Sequence, residues 1–327
     1  MDTAGLAQGV LAGQVRSIAR AISLVESGRA ERDQLLDELR RRDDPPGEEQ
    51  SIGAAVIGIT GPPGAGKSTL ISRLIMSVRE TGEKVAVLAV DPSSPFTGGA
   101  LLGDRIRMDL HGTDPGVFIR SMASRGGTGG ISAAALETVQ VLVSAGYGTI
   151  IVESVGVGQS EVGILTLADI VLVALTPGSG DEIQALKAGV MEIGDLYVVN
   201  KADYPQAEAM VASLNAALEE TLRGGLAPLV LRTVATEGTG VAELYRAIGE
   251  RLDQLHRTGE LERRRQQRVI DALREMATDL FSRWISERLS ADGDAVSRGI
   301  PFAAMRQELE QFLEQFTWRN HNGQRND

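Results

Sequence analysis

The sequence predicts an α/β fold, a mostly parallel, doubly wound sheet flanked by N-terminal helices and a C-terminal helical arm. Three observations lead there. Short β-rich runs, nearly continuous in apolar residues, alternate with helical patterns from Ala54 to about Gly249, as strands buried on both faces do. A glycine-rich loop of fixed spacing follows the first run and opens a helix. Beyond about Leu252 the strands stop, and apolar stripes at helical spacing take over.

In chain order, residues 1–50 read as a helical extension and linker. Leu6, Val10, Val15, Ile18, Ile22 and Val25 recur at roughly helical spacing, with Leu35, Leu36 and Leu39 behind them. Asp43-Asp44-Pro45-Pro46-Gly47-Glu48 then breaks helix. Residues 51–251 form the α/β domain. Its strands are expected at Ala55–Ile59, Val85–Val90, Val117–Arg120, Thr149–Glu153, Ile170–Leu175, Leu196–Asn200 and Leu229–Val234. Leu70, Ile71, Leu74, Ile75 and Val78 mark one buried helix face, and Leu136, Val139, Leu142 and Val143 another. Residues 252–327 form the arm. Val269, Leu273, Met276, Leu280 and Trp284 make one stripe, and Phe302, Met305, Leu309, Phe312 and Phe316 a second. These stripes either pack on the chain's own α/β domain or pair with a second copy.

Composition removes several classes of function. The net charge of −11 comes without a basic block, so nucleic acid is not an expected partner. With no cysteine, disulfides, thiolate metal sites and a cysteine nucleophile are excluded. The three histidines, His111, His256 and His321, are too scattered for a metal-delivery tract. No apolar h-region opens the chain and no run approaches the ~20 residues that span a bilayer, so a cytoplasmic protein without a membrane partner is expected.

The loop is Gly61-Pro62-Pro63-Gly64-Ala65-Gly66-Lys67-Ser68-Thr69, which fits G-x-x-x-x-G-K-[ST] in full. Such a P-loop wraps backbone N–H groups around phosphates at a helix N-terminus. Lys67 is expected on the β/γ-phosphates and Ser68 on Mg²⁺, with Thr69 alongside.

Asn200-Lys201-Ala202-Asp203, at a strand end, is an N-K-x-D. Asp203 can accept from the N1–H and 2-amino groups of guanine, where adenine offers no donor. Lys201 should lie along the base, and Asn200 should brace the surrounding loops. Backbone N–H groups of Ala235 and Thr236 are candidates for a second base contact. The bound nucleotide is therefore expected to be GTP or GDP.

Where many GTPases carry D-x-x-G, this chain has Glu153-Ser154-Val155-Gly156. Gly156 can offer an N–H to the γ-phosphate, and Glu153 can contact Mg²⁺ through water or position the attacking water. Gln159 lies three residues beyond Gly156, so no water-positioning glutamine follows it directly and slow intrinsic hydrolysis is expected. Asp91 ends a strand expected beside the P-loop strand, and Asp104 lies in a pliable Gly/Ser/Thr-rich loop suited to ordering by Mg²⁺ and γ-phosphate. Arg105 and Arg107 either stabilise the transferring phosphoryl group or make surface ion pairs.

The stretches GPPGAGKST, DPSSPFTGGALLGDRIRM (91–108), RSMASRGGTGG (120–130), ESVGVGQSE (153–161), DEIQALKAGVMEIGD (181–195) and NKAD together resemble the MeaB/ArgK/MMAA family of SIMIBI-class P-loop GTPases. The resemblance is dense over 51–250, and chain length and N-terminal helix are most similar to its bacterial MeaB branch. It implies a GTP-hydrolysing chaperone of methylmalonyl-CoA mutase that gates adenosylcobalamin loading and protects the mutase from inactivation. It also implies a homodimer joined through C-terminal helices. By motif, Asp91, Asp104 and Glu153 become Mg²⁺ and switch residues, and Gly178–Lys187 a mobile loop signalling to the mutase. Two departures stand out: Gly127-Thr128 where many relatives have His-Leu, and Val234 where Ser is frequent. Three other classes compete, of which a nucleotide-held scaffold that only binds is disfavoured by the intact Lys67, Ser68 and Glu153. A metallochaperone GTPase is disfavoured by the missing soft ligands, and a small-molecule or protein kinase by N-K-x-D.

Overall fold

The computed structural model describes residues 2–43, 53–92, 111–124, 133–154, 167–178, 194–221, 227–291 and 306–307. The β-rich runs become seven parallel strands: β1 (Ala55–Thr60), β2 (Val85–Pro92), β3 (Val117–Ser124), β4 (Thr149–Ser154), β5 (Ile170–Leu175), β6 (Leu196–Asn200) and β7 (Leu229–Thr233). They lie in the order β3-β2-β4-β1-β5-β6-β7. Every residue of β5 and β6 is buried, which is why these runs lack the polar alternation of a half-exposed strand. β3 runs four residues past the expected Arg120, because Ser121–Ser124 continue the register with Ala89–Pro92.

One expectation about Asp91 is corrected by this order. Asp91 lies on β2, but β2 is not the neighbour of β1. β4 occupies that place, with Ile151 facing Ile57 on one side and Val87 on the other. The strand beside the P-loop strand therefore carries Glu153, and Asp91 stands one strand further out.

Alternation along the strands sends side chains to two layers. Ile57, Ile59, Val85, Val87, Ile151 and Leu172 pack against α4 (Lys67–Glu80) and α7 (Val241–Arg257). Val56, Leu88, Val90, Ile150 and Val152 face α5 (Ala133–Ser144) and the N-terminal helices α1 (Thr3–Leu11), α2 (Val15–Ser27) and α3 (Glu31–Asp43). Val171, Val173, Tyr197 and Val199 are covered by α6 (Ala207–Thr221). The N-terminal segment is thus three helices that share the core of the sheet. Gly13 and Gly28, at φ 69° and 64°, turn the chain between them. Val15 starts α2 and is 52% exposed, so it leaves the apolar stripe to which its spacing assigns it.

A long helix, α8, runs Glu260–Ala291. Arg264, Arg265 and Arg268 hold its first half to two acidic residues at the starts of β5 and β6. Arg264 makes a two-pronged bond with Asp195, at 3.0 and 3.0 Å. Arg265 does the same with Asp169, at 3.0 and 2.7 Å. The chain divides into two compact units, Met1–Glu275 and Met276–Asp327. Of the second, the described part is the end of α8 and residues 306–307. The stripe Phe302–Phe316 lies outside the described residues. No described helix is long and apolar enough to cross a membrane.

Candidate functional site

The C-terminal ends of β1, β4, β6 and β7 converge on one edge of the sheet. In open parallel sheets ligands bind there, at the point where strand order reverses. Here β1 is that point, with β4 on one side and β5 on the other.

From Thr60 the chain enters the P-loop. Gly61 adopts φ 142° and passes so close to β5 that a Cβ would stand 2.0 Å from the Ala174 carbonyl oxygen. Gly66, at φ 82°, is the N-cap of α4, and its added Cβ would meet Asn200 Nδ2 at 2.4 Å. No side chain fits at either place. The loop therefore lies against β5 and against the N-K-x-D asparagine. Lys67 crosses the loop and donates from Nζ to the carbonyls of Gly61 (2.6 Å) and Pro62 (3.2 Å). Ala65 is buried, whereas Pro63, Gly64 and Thr69 are exposed.

Ser68 donates from Oγ to Glu153 Oε1 at 3.2 Å. Glu153 is 1% exposed, a carboxylate held deep at the end of β4 beside the first turn of α4. A hydroxyl and a carboxylate oxygen side by side are hard donors of the kind Mg²⁺ takes. Among the described residues no cluster of three or more His, Cys, Asp or Glu could hold a metal. A cation here would rely on this oxygen pair, the nucleotide and water.

Asn200 is the junction of the base side. Its Nδ2 donates to the Ala65 carbonyl at 2.9 Å. Its Oδ1 accepts from Thr233 Oγ1 and from Ala235 N–H, each at 3.1 Å. One amide thus ties the P-loop, β7 and the loop after β7. Lys201, at φ 56°, is the one non-glycine with positive φ among the described residues. From that strained backbone its Nζ donates to the Gly64 carbonyl at 3.0 Å, so the aliphatic stem runs from the N-K-x-D turn to the P-loop. Asp203 is exposed in the same turn.

The structure thus brings together Gly61, Pro62, Gly64, Ala65, Gly66, Lys67, Ser68, Glu153, Asn200, Lys201, Ala235 and, through Arg73, Thr236. Asp91 is described in its backbone only. Asp104, Arg105, Arg107, Gly156, Lys187 and the Gly127-Thr128 pair lie outside the described residues, and Gly178 ends the described part of its loop with φ 118°. Sequence reasoning missed four residues around the site. Thr233 braces Asn200. Arg73, on α4, donates to the carbonyls of Ala235 (3.0 Å) and Thr236 (2.5 Å). Ser72 and His111 are 2.8 Å apart, joining α4 to the residue that follows the 91–110 segment. The only sequence signal for Arg73 was its place next to an apolar stripe.

A P-loop on β1, an oxygen pair at its first helical turn and a braced N-K-x-D define a P-loop GTPase. The model of the family described as methylmalonyl Co-A mutase-associated GTPase MeaB matches residues 18–290, and the chain belongs to that family. A Pyrococcus horikoshii protein whose name includes GTPase is 43% identical over 289 residues, which is 87% of this chain and 89% of that one. GTPase ArgK of Escherichia coli is 37% identical over 277 residues, 82% and 81% of the two chains. A solved structure of a LAO/AO transport system kinase superposes with TM-score 0.68 at 29% identity, covering 95% of this chain and 97% of that one. The chain is a GTPase of α/β fold and takes a guanine nucleotide.

Proposed function

We propose that this GTPase serves as a chaperone of methylmalonyl-CoA mutase, gating adenosylcobalamin loading and protecting the mutase from inactivation. The observation that carries the reading is the match over residues 18–290 to a family described by its association with that mutase. A mouse relative named methylmalonic aciduria type A homolog, mitochondrial, 36% identical over 269 residues, supports it.

In this reading Lys67 and the P-loop amides hold the β/γ-phosphates, Asp203, Lys201 and Thr236 hold the base, and Ala235, whose N–H is taken by Asn200, braces the loop instead of contacting the base. Ser68 and Glu153, with Asp91 and Asp104, would hold Mg²⁺, which would supply charge neutralisation at the phosphates when bound. Glu153 also orients the attacking water. Intrinsic turnover is slow, below about 1 s⁻¹, and binding to the mutase raises it. Arg105, Arg107 and the Gly178–Lys187 loop carry the signal. The setting is cytoplasmic, and the domains are residues 1–50, 51–251 and 252–327.

The chain works as a homodimer through its C-terminal arm. Val269, Ile270 and Leu273 support this, being 51%, 43% and 46% exposed in the single chain. Mixing the chain with apo-mutase, GTP and adenosylcobalamin tests the function. Nucleotide-dependent transfer of cofactor into the mutase is expected. Loading at the same rate with GTP, GDP or no nucleotide sinks the gating role.

A further inference from the structure

We propose that Arg73 is a positioning residue for the purine, fixing the loop 234–237 against the phosphate-binding helix and so setting discrimination at the 6-oxo group of the base. The inference rests on the guanine reading of the site.

Arg73 lies on α4, the helix whose first residues are Lys67 and Ser68. Its planar guanidinium donates from Nε to the Ala235 carbonyl at 3.0 Å and from Nη2 to the Thr236 carbonyl at 2.5 Å. A rigid fork on two successive carbonyls fixes orientation as well as position. From the other side, Asn200 Oδ1 takes the Ala235 N–H at 3.1 Å. Ala235 is therefore gripped at both its N–H and its C=O, and it is 2% exposed.

The remaining amides of the loop sort themselves. Glu237 and Gly238 both donate to the Val234 carbonyl, at 3.0 and 2.9 Å, which closes the turn. Ala235 N–H is already engaged by Asn200. Among the described residues, Thr236 N–H donates to no protein acceptor. That N–H belongs to the same planar peptide unit as the Ala235 carbonyl, and the two point in opposite directions. Arg73 holds the oxygen and thereby sets the direction of the N–H. Guanine presents an acceptor at its 6-position, where adenine presents an amino donor. A fixed N–H beside the base donates to the 6-oxo group of guanine and is opposed by the 6-amino donor of adenine. Asp203 reads the 2-amino and N1–H groups independently, so the two ends of the base are sensed by separate devices.

The test compares dissociation constants of GDP, 6-thio-GDP and IDP for the full chain, R73A and R73K. The sulfur of 6-thio-GDP is a weak acceptor but leaves N1–H and the 2-amino group intact. IDP lacks only the 2-amino group and reports on Asp203. Wild type should prefer GDP to both analogues, roughly five- to tenfold over 6-thio-GDP. R73A should lose most of the 6-thio preference and keep the preference over IDP. R73K, with a single ammonium in place of the fork, should fall between. A purely structural role for Arg73 weakens all three ligands alike. Retention of the 6-thio preference in R73A overturns the inference, as does its absence from wild type. If R73A does not fold, an undiminished 6-thio preference in R73K has the same force. A wild type that does not distinguish GDP from IDP removes the guanine reading itself, and the inference with it.

Discussion

Arg268 Nη2 stands 2.8 Å from Asp169 Oδ1, with side chains only 8% and 0% exposed. The two residues are 99 positions apart in sequence. Asp169 precedes β5, and its Oδ2 also accepts the Val56 N–H at 3.0 Å. The same carboxylate therefore closes the start of β1 and anchors α8. Its neighbour Asp195 does the equivalent for β5, accepting Val171 N–H at 2.8 Å. The arginine helix is fastened to the edge of the sheet opposite the nucleotide cradle.

Removing one partner of a buried pair leaves an uncompensated charge. Arg268→Ala and Asp169→Asn are each expected to cost about 3 kcal/mol of stability. Denaturant unfolding of the two variants checks this. A loss below about 0.5 kcal/mol in both would show that the remaining contacts carry the anchor.

Burial pushes the Asp169 carboxyl up, but the hydrogen bond from Arg265, the charges of Arg268 and Arg265, and the Val56 N–H together hold it below the ordinary value. A depressed folded-state value gives stability that is fully present above the unfolded carboxylate range, about 3.9, and is lost as pH falls through the folded value. Thermal melts between pH 3 and 7 should show a steeper acid loss in wild type than in Asp169→Asn. Parallel profiles would contradict the assignment.

At the opposite edge, Glu153→Gln keeps shape but weakens the oxygen pair with Ser68. Single-turnover hydrolysis should drop at least about tenfold while GDP affinity stays within about threefold. Equal losses in both would make Glu153 a binding residue alone.

Asp203→Asn replaces an acceptor pair with a side chain that can also donate. GTP affinity should fall by roughly 10²–10⁴, and xanthosine triphosphate should become the preferred ligand. Competition binding reads the outcome. Unchanged base preference would place guanine recognition elsewhere.

Charging the exposed face of α8 is the sharpest test of the homodimer. Val269→Asp with Leu273→Asp should give a monomer in sedimentation velocity and leave the melting temperature near that of wild type at equal monomer-scale concentration. A dimer that survives both changes would move the interface off this face.

The strands were legible because parallel strands buried on both faces leave continuous apolar runs, and the P-loop and N-K-x-D because their chemistry is local in sequence. What the sequence concealed is non-local. No run of residues says that β4 slips between β1 and β2, so sequence alone puts Asp91 one strand too close to the P-loop. Asp169 and Asp195 look like ordinary polar residues at strand starts. Arg264 and Arg268 look like an exposed helix face until the topology brings them to acids 69 and 99 residues away. Val15 matched the helical stripe in spacing, but Gly13 turns the chain just before it, so the stripe restarts on a new helix without it.

The most direct test of the account is GTP turnover at saturating Mg²⁺, alone and with added methylmalonyl-CoA mutase. A slow basal rate that rises many-fold with mutase, together with a complex in gel filtration, is the predicted result. Turnover indifferent to mutase, with no complex formed, would leave the guanine site intact and contradict the chaperone function.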